Sequence, residues 1–419
     1  MENTVAKNRQ QLAASGKSLW ARVMQQALNA LEGGCLKLQL GSEQWTFGPL
    51  DTDLVAIIRI HDERFFRQVI LGGSIGAGEA YIQGHWSSPD VTAVVRLFAR
   101  NLPLLDKIEQ RFSWFSNTVS RVKHLLRRNS KAGSKRNILA HYDLGNPLYQ
   151  AFLDPELLYS SAVYPHEEAQ LDEAQQYKLQ LICERLDLQP GMSLLEIGTG
   201  WGALAIYAAK HYDVKVTTTT ISDAQYQYAS ERVAAEGLSE RITLLRQDYR
   251  QLSGQYDRLV SIEMIEAVGH DYLPGFFAGL DALLKPSGKL LLQAITIKDQ
   301  RYDSYRKGVD FIQRYIFPGG CLPSVTEMTR HLQRQTSMTL WSLDDIGLDY
   351  ARTLNDWHAN FDDARERVRE LGYGEDFVRM WKFYLSYCEG GFLERTISTV
   401  QLTAVKDGYR PLSSRQIAG

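Results

Sequence analysis

The sequence predicts an α/β protein, with a doubly wound Rossmann-like domain and a smaller mixed α+β domain N-terminal to it. Strand-like and helix-like runs alternate after Pro190-Gly191, and a turn with three glycines follows the first of these strands. The length of 419 residues also exceeds the size that one hydrophobic core usually supports. In such folds ligands bind beyond the carboxyl ends of the parallel strands, so functional residues are expected at that edge.

The N-terminal part begins with a predicted amphipathic helix over residues 18–31, where apolar residues recur at helical spacing until Gly33-Gly34. Strand-like runs follow at 36–40 and 54–60. The glycine-rich segment 73–84 comes directly after a helical stretch. We therefore expect it to form a packing turn rather than a cofactor loop.

A basic segment separates the two predicted domains. Residues 121–136 contain seven lysines and arginines and no acid, and their polar second half is typical of a flexible linker. The predicted division is an accessory domain at 1–128, a linker at 129–138 and a larger domain at 139–419. A basic segment of this kind attracts anionic lipid, at roughly 1 kcal/mol per charge near a membrane surface. The alternative is a solvated linker with no partner.

The larger domain alternates strands with helices. Strands are expected at 193–197, 214–221, 242–245, 258–263 and 289–297, and helices at 203–211 and 223–236. The second of these strands is rich in β-branched residues, and Gly237 ends the second helix. This alternation is typical of a parallel sheet that is covered by helices on both faces.

The composition excludes several classes of protein. Hydrophobic and charged fractions of 44% and 23% are ordinary for a globular domain, and a net charge of −2 argues against nucleic-acid binding. The four cysteines lack paired spacing, so neither a disulfide framework nor a metal site is indicated, and a reducing cytoplasm fits. No apolar run approaches the roughly 20 residues that span a bilayer. Any membrane contact is expected to be peripheral, at the inner face.

Candidate cofactor residues follow three successive strands. Glu196 and the glycines Gly198, Gly200 and Gly202 follow the first strand, with a spacing that matches neither the dinucleotide fingerprint nor the phosphate-binding loop. Later strands are followed by the polar candidates Thr220, Ile221 and Gln225 and then by Asp248 and Tyr249. Together they favour an adenosine cofactor with one sugar, for which S-adenosylmethionine is the natural candidate. A plain tight turn at the glycines and simple packing of Tyr249 are the alternatives.

Five motifs carry a resemblance to a known family. The chain resembles the cyclopropane-fatty-acyl-phospholipid synthases at His141–Asn146, Tyr159-Ser160-Ser161-Ala162, the glycine loop, Tyr315–Gly320 and Cys388–Phe392. This resemblance implies a class I methyltransferase fold, a homodimer with a lipid-binding N-terminal domain, and Tyr159 and Ser160 among the cofactor contacts. It also implies methyl transfer to the cis double bond of an acyl chain in a membrane phospholipid, followed by loss of a proton and closure of a cyclopropane ring.

The resemblance further implies a bound bicarbonate that acts as the base. The matching positions are Ser161, Glu266, Gln293, Ile295 and Tyr350. Two of them depart from the family pattern, because Ser161 replaces the usual cysteine and Gln293 the usual histidine; in addition, Ala267 follows Glu266 where the family has histidine. An amide donates hydrogen bonds to an anion but does not relay a proton as imidazole does. Glu266 is itself a candidate base, since burial raises the pKa of a carboxyl group.

Aromatic side chains are candidates for the acyl site, where they would exclude water and stabilise a carbocation. These are Phe311, Tyr315, Phe317 and Phe392, together with Tyr350. Because the position of the base decides which proton leaves, a methyl-branched alkene without a ring is the rival product. The other hypotheses are a methyltransferase for a water-soluble small molecule and a catalytically silent lipid-binding protein.

Overall fold

The computed structural model describes residues 19–106 and 144–411. They form two compact units, the first from residues 19–106 and 374–394 and the second from residues 144–373 and 395–411. The predicted linker at 129–138, the boundary at 128 and the start of the motif at His141 lie outside the described residues. The predicted larger domain at 139–419 thus includes a helical segment, 374–394, that packs in the first unit.

The first unit is a mixed α+β structure. Its sheet has the strand order β2-β1-β3-β4, in which β1 pairs antiparallel with β2 and parallel with β3. The elements are α1 (Leu19–Leu28), β1 (Cys35–Leu40), β2 (Glu43–Phe47), β3 (Val55–Ile60), α2 (Arg64–Ile82), β4 (Trp86–Ser87) and α3 (Val91–Arg100). The helix Glu375–Leu393 also belongs to this unit, and it packs tightly at Gly390, where a Cβ would lie 2.7 Å from the side chain of Val95.

The glycine-rich segment lies inside α2, so the predicted packing turn is wrong. The helix continues through this segment with one break at Gly73, which has φ 54° and ψ −135°. Gly76 is required for a different reason, because a Cβ there would come within 2.0 Å of the carbonyl oxygen of Gln68. The glycines therefore permit a kink and a close backbone approach within one helix.

The second unit contains a seven-stranded sheet with the order β10-β11-β9-β8-β5-β6-β7. Strands β5 to β9 pair in parallel, whereas β11 is antiparallel to both of its neighbours. The strands are β5 (Ser193–Ile197), β6 (Lys215–Thr219), β7 (Ile242–Leu245), β8 (Tyr256–Ile262), β9 (Leu284–Ile297), β10 (Thr339–Asp345) and β11 (Ile397–Val405). This confirms the predicted doubly wound α/β fold.

Helices cover both faces of this sheet, because alternate residues of a buried strand point to opposite sides. Leu290 and Leu292 belong to one core with Phe276 and Phe277, whereas Leu291 belongs to the other core. Within the described residues 144–411 the α-helices are α4 (Asn146–Phe152), α5 (Leu171–Arg185), α6 (Ala203–Tyr212), α7 (Asp223–Ala235), α8 (Leu273–Ala282), α9 (Asp299–Tyr305), α10 (Phe311–Tyr315), α11 (Val325–Gln335), α12 (Gly347–Asp363), α13 (Arg365–Glu370) and α14 (Glu375–Leu393).

The strand order determines where functional residues meet. β5 lies between β6 and β8, and β8 lies beside β9. The loops after β5, β6 and β8 therefore leave the sheet at neighbouring points of its carboxyl edge. No helix among residues 19–106 and 144–411 is both long enough and apolar enough to cross a membrane.

Candidate active site

The loop after β5 presents bare backbone at the start of a helix. Gly198, Gly200 and Gly202 have φ values of 105°, 53° and 92°, which side chains with a Cβ rarely adopt. The amides of Gly198 and Thr199 donate to the carbonyl oxygen of Thr219 at 3.1 Å, which fixes the loop to the end of β6. Helix α6 begins directly afterwards, so its unpaired N–H groups face the same region as the loop.

Glu196 is the penultimate residue of β5, two residues before the first glycine of this loop. Its carboxylate is buried and accepts a hydrogen bond from the Thr218 hydroxyl at 2.6 Å. Burial raises the pKa of Glu196 to about 8, and the Thr218 bond only partly opposes this. A sulfonium, ammonium or ribose group would offset the cost of burial, and the side chain therefore suits a nucleoside ligand of that kind.

The residues after β6 form a second polar group at the same edge. The Thr220 hydroxyl donates to the side-chain oxygen of Gln225 at 3.0 Å, and both residues are buried. The Ser222 hydroxyl accepts from the Gln225 amide and caps helix α7. Ile221, between them, is half-buried. Two of the predicted cofactor residues, Thr220 and Gln225, are thus held at the end of β6 by a local network.

Asp248 and Tyr249 follow β7 but have partners of their own. The Asp248 carboxylate pairs with Arg250 at 2.5 Å and accepts from the Arg250 amide. The Tyr249 ring packs edge-on against Phe276 with centroids 5.5 Å apart, and burial raises its pKa to about 12. The structure therefore shows the packing contact for Tyr249 that the sequence left as an alternative.

The most informative residue of the site is Glu263, which the sequence reasoning missed. It directly follows β8, and the carboxylate of this half-buried residue accepts three hydrogen bonds: Oε1 from the Ser161 amide at 2.9 Å and the Gln293 amide group at 2.8 Å, and Oε2 from the Tyr350 hydroxyl at 2.9 Å. Burial raises the pKa of Glu263, and these donors together with the charge of Lys178 oppose that rise. A carboxylate at the end of an apolar strand was the available signal.

Glu266 lies one turn further along the chain. Its Oε1 accepts from the Ile295 amide at 2.5 Å, whereas its buried Oε2 has no hydrogen-bond partner among the described residues. Burial and the neighbouring Glu263 raise the pKa of Glu266 to about 8. The five predicted bicarbonate ligands therefore divide between two carboxyl groups, since Ser161, Gln293 and Tyr350 contact Glu263 and Ile295 contacts Glu266.

Two buried polar groups support this carboxylate cluster. Gln401 on β11 lies opposite Gln293 on β9 and donates to the Gln293 side-chain oxygen at 2.9 Å. The Gln401 side-chain oxygen in turn accepts from Arg185 at 2.5 Å. Lys178 is fully buried and donates to the Ser160 hydroxyl at 2.8 Å, and burial lowers its pKa to about 8.

An aromatic cluster lies beside the carboxylates. The Tyr159 ring is 5.3 Å from Trp357 and 6.4 Å from Phe317, and Trp357 is 6.0 Å from Tyr350. This connects two predicted acyl-site residues, Phe317 and Tyr350, with the predicted cofactor residue Tyr159. Since aromatic faces exclude water and attract cations, these rings could line an apolar site in which positive charge develops.

The other predicted acyl-site residues lie on two helices, α10 and α14. Phe311 is fully buried and packs against Tyr315 with centroids 5.2 Å apart, over helix α10. Phe392 is buried in helix α14 of the first unit. It is there because the Cys388–Phe392 motif contains the small residue Gly390, which lets α14 approach α3 closely.

Comparison with known proteins identifies the family. The sequence profile described as mycolic acid cyclopropane synthetase matches residues 129–402. The chain is 38% identical over 362 residues to the cyclopropane-fatty-acyl-phospholipid synthase of Escherichia coli K12, across 85% of this chain and 90% of that protein. The chain belongs to this family.

Further relatives extend the same picture. The tuberculostearic acid methyltransferase UfaA1 of Mycobacterium tuberculosis is 36% identical over 82% of this chain and 81% of its own length. Among solved structures, the cyclopropane synthase MmaA2 of the same organism aligns with a TM-score of 0.61 and 32% identity, over 65% of this chain and 98% of that one. The mycolic acid cyclopropane synthase CmaA1, complexed with SAH and CTAB, aligns with a TM-score of 0.61 and 31% identity, over 65% of this chain and 98% of that one.

Family membership confirms the resemblance found in the sequence motifs. The chain is an S-adenosylmethionine-dependent methyltransferase, and the family places it among the enzymes that modify unsaturated lipids. The positive-φ glycine loop, buried Glu196 and the Thr220–Gln225 pair form a set of groups that fits such a cofactor. The relatives include both cyclopropane synthases and methyltransferases, so family membership leaves the product open.

Proposed function

We propose that this protein adds the methyl carbon of S-adenosylmethionine to the cis double bond of an unsaturated acyl chain in a membrane phospholipid, and closes a cyclopropane ring. One observation carries the proposal: a cluster of hydrogen-bonded carboxyl groups follows β8, next to the strand that leads into the cofactor loop, and aromatic rings flank it. An anionic group in an apolar surrounding suits a reaction that passes through a cation.

The residues after β5 and β6 would hold the cofactor. The glycine loop would contact it through backbone N–H groups, Glu196 would compensate positive charge, and Thr220 with Gln225 would bind hydroxyl or amino groups. When bound, S-adenosylmethionine supplies an electrophilic methyl group. The adjacent position of β5 and β8 brings the glycine loop close to the carboxyl cluster, since a Cβ on Gly198 would lie 3.6 Å from the Met264 side chain.

The aromatic cluster would form the wall of the acyl site. Tyr159, Phe317 and Trp357 would exclude water, which otherwise captures a carbocation to give an alcohol. Their ring faces would also stabilise the positive charge, by about 0.5 to 2 kcal/mol for each ring in contact. A phospholipid acceptor is supported by the relative that is a fatty-acyl-phospholipid synthase. We further propose peripheral contact with anionic membrane through the basic segment 121–136, and a homodimer.

A second product is favoured by a specific observation. The relative UfaA1 is a tuberculostearic acid methyltransferase, and Ser161 and Gln293 stand where the motif resemblance implies cysteine and histidine. A base in a different position would take a proton from a neighbouring chain carbon and leave a methyl-branched alkene. Cyclopropanation is the leading proposal because the Glu263 carboxylate contacts three of the positions that hold the ring-closing base in the family.

Labelled cofactor distinguishes the two products. The purified chain is incubated with vesicles of a phospholipid that carries a cis-monounsaturated chain and with S-adenosylmethionine bearing a fully deuterated methyl group. A cyclopropane retains two deuterium atoms and shows strongly shielded ring protons by NMR, whereas a methyl-branched alkene retains three and keeps its double bond. Vesicles of a fully saturated phospholipid are the control. Unmodified lipid from a protein that binds the cofactor would contradict the proposal.

A further inference from the structure

The donors that would bind an external bicarbonate already bind a side chain of the protein. The Ser161 amide, the Gln293 amide group and the Tyr350 hydroxyl all donate to the Glu263 carboxylate, at 2.8 to 2.9 Å. The Ile295 amide donates to Glu266. Bicarbonate therefore does not fit this set of residues as they stand, because four of its five expected ligands are engaged with internal carboxyl groups.

The backbone at Glu263 is strained in a way that keeps the carboxylate there. Glu263 has φ 48°, in the left-handed region where glycine is usual. A residue with a Cβ adopts this region only at an energetic cost, because the Cβ crowds the backbone. Strain of this kind persists at functional sites, where the surrounding contacts over-determine it. Here the three hydrogen bonds to the carboxylate hold the residue in place.

Among the described residues, the three groups that hydrogen-bond to this carboxylate are oriented to donate to it. Gln401 donates to the side-chain oxygen of Gln293, so the NH₂ group of Gln293 has to face Glu263. Arg185 holds Gln401 in that orientation by donating to its side-chain oxygen. Buried Lys178 adds positive charge nearby, and its charge favours the ionised form of Glu263. The site is therefore arranged around an anion, and that anion is part of the chain.

We propose that the Glu263 carboxylate is the base of the reaction, so that this enzyme works without bicarbonate. The proposal rests on the proposed function. After the methyl carbon has joined the acyl chain, Oε2 of Glu263 takes a proton from that carbon. The electron pair of the broken C–H bond forms the carbon–carbon bond that closes the ring. Oε2 accepts one of the three hydrogen bonds and Oε1 two, so Oε2 keeps a lone pair for the proton.

The proton then leaves Glu263 to water, which restores the carboxylate without an oxidant or a reductant. Gln293 and Tyr350 are positioning residues in this scheme, because they hold the carboxylate through hydrogen bonds. The scheme makes two predictions that a purely structural role for Glu263 does not make. Activity is independent of bicarbonate in the wild type, and an external anion replaces a deleted carboxylate.

The test measures methyl transfer in buffer depleted of carbon dioxide, with either sodium bicarbonate or sodium chloride added at equal ionic strength. The wild type is expected to be equally active in both. Glu263→Gln and Glu263→Gly are each expected to lose about 10²- to 10⁴-fold in kcat, as general-base removal does. Bicarbonate is expected to restore Glu263→Gly by at least tenfold, because glycine opens the donor set and suits the positive φ. It should not restore Glu263→Gln, whose amide fills the space.

The controls separate this proposal from the proposed function. Both variants are checked for cofactor binding by calorimetry, and Glu327→Gln, at a buried acid outside the site, is expected to retain wild-type activity. A wild type that requires bicarbonate, or a Glu263→Gln variant with full activity, would overturn the role of Glu263. Absence of product from the wild type in every buffer would instead overturn the proposed function.

Discussion

The Tyr350 hydroxyl offers a quantitative test of how the Glu263 carboxylate is held. Tyr350→Phe removes one of three donors to that carboxylate, a partly buried bond of 2.9 Å between the phenol oxygen and Oε2. A hydrogen bond to a charged group contributes about 1.5 to 3 kcal/mol, and 1.36 kcal/mol corresponds to one pKa unit. The removal therefore raises the pKa of Glu263 further above its ordinary range, in the same direction as burial does.

The sign of the effect on rate follows from the role of the base. Glu263 acts only when it is ionised, so activity rises as the pH passes its pKa. In Tyr350→Phe the rising limb of the kcat profile is expected to move to higher pH by about 1 to 2 units. At pH values below the rising limb, kcat of the variant is about 10- to 100-fold lower than kcat of the wild type at the same pH. At pH values above the limb of the variant, the variant recovers most of the wild-type activity.

The assay is methyl transfer to phospholipid vesicles across a pH series, with cofactor saturating. Tyr164→Phe is the matched control, because Tyr164 also donates a phenol hydrogen bond to a carboxylate, that of Asp356 on helix α12, at 2.7 Å. This control should leave the limb where it is in the wild type. If Tyr350→Phe lowers kcat by the same factor at every pH, Tyr350 has a structural role and does not set the pKa of Glu263.

Three further predictions test other parts of the site. Gly198→Ala is expected to weaken cofactor binding by at least tenfold in calorimetry, because Gly198 has φ 105°, which alanine rarely adopts. Gly254→Ala is the control: Gly254 has φ 98° but lies outside the loop, so the substitution should lower the stability of the fold without that loss of cofactor affinity. Burial raises the pKa of Glu266 from 4.5 to about 8, so the stability of the wild-type fold falls as the pH rises from 4.5 to 8 and the buried carboxyl group loses its proton. Glu266→Gln should therefore unfold at a higher temperature than the wild type at pH 8.5, but not at pH 5. An unfolding temperature that depends on pH equally in both proteins would contradict the account. Gln401→Met removes the hydrogen bond that orients the side-chain amide of Gln293 and lets that amide rotate. We therefore expect kcat to fall by about tenfold while KM for the cofactor stays constant. A change in KM without a change in kcat would refute the proposed orientation.

Local patterns predicted the elements of the second unit well. The strands Ser193–Ile197 and Ile242–Leu245 have the predicted bounds, because each is a short apolar run with clear turn residues at both ends. The glycine loop was recognisable because three positive-φ residues at alternate positions require glycine. The bounds of β9 were less accurate, since Leu284–Ile297 runs through Pro286 and Gly288, which usually interrupt a strand.

Long-range contacts explain what the sequence did not reveal. The role of Glu263 depends on Ser161, Gln293 and Tyr350, which lie 102, 30 and 87 residues away along the chain. Helix α14 joins the first unit through contacts such as the bond from Thr92 to Glu389, across 297 residues. No local pattern encodes such pairings, so the acidic residue at the end of β8 and the surroundings of Phe392 became interpretable only in the folded chain.

Lipid composition after expression tests the central claim most directly. The chain is produced in a bacterial host whose own cyclopropane synthase has been deleted, and phospholipid acyl chains are analysed by mass spectrometry and NMR. We expect unsaturated chains to be replaced by chains that are one methylene heavier and contain a three-membered ring, and Glu263→Gln to leave them unchanged. Unaltered unsaturated chains alongside a folded wild-type protein that binds S-adenosylmethionine would contradict the account.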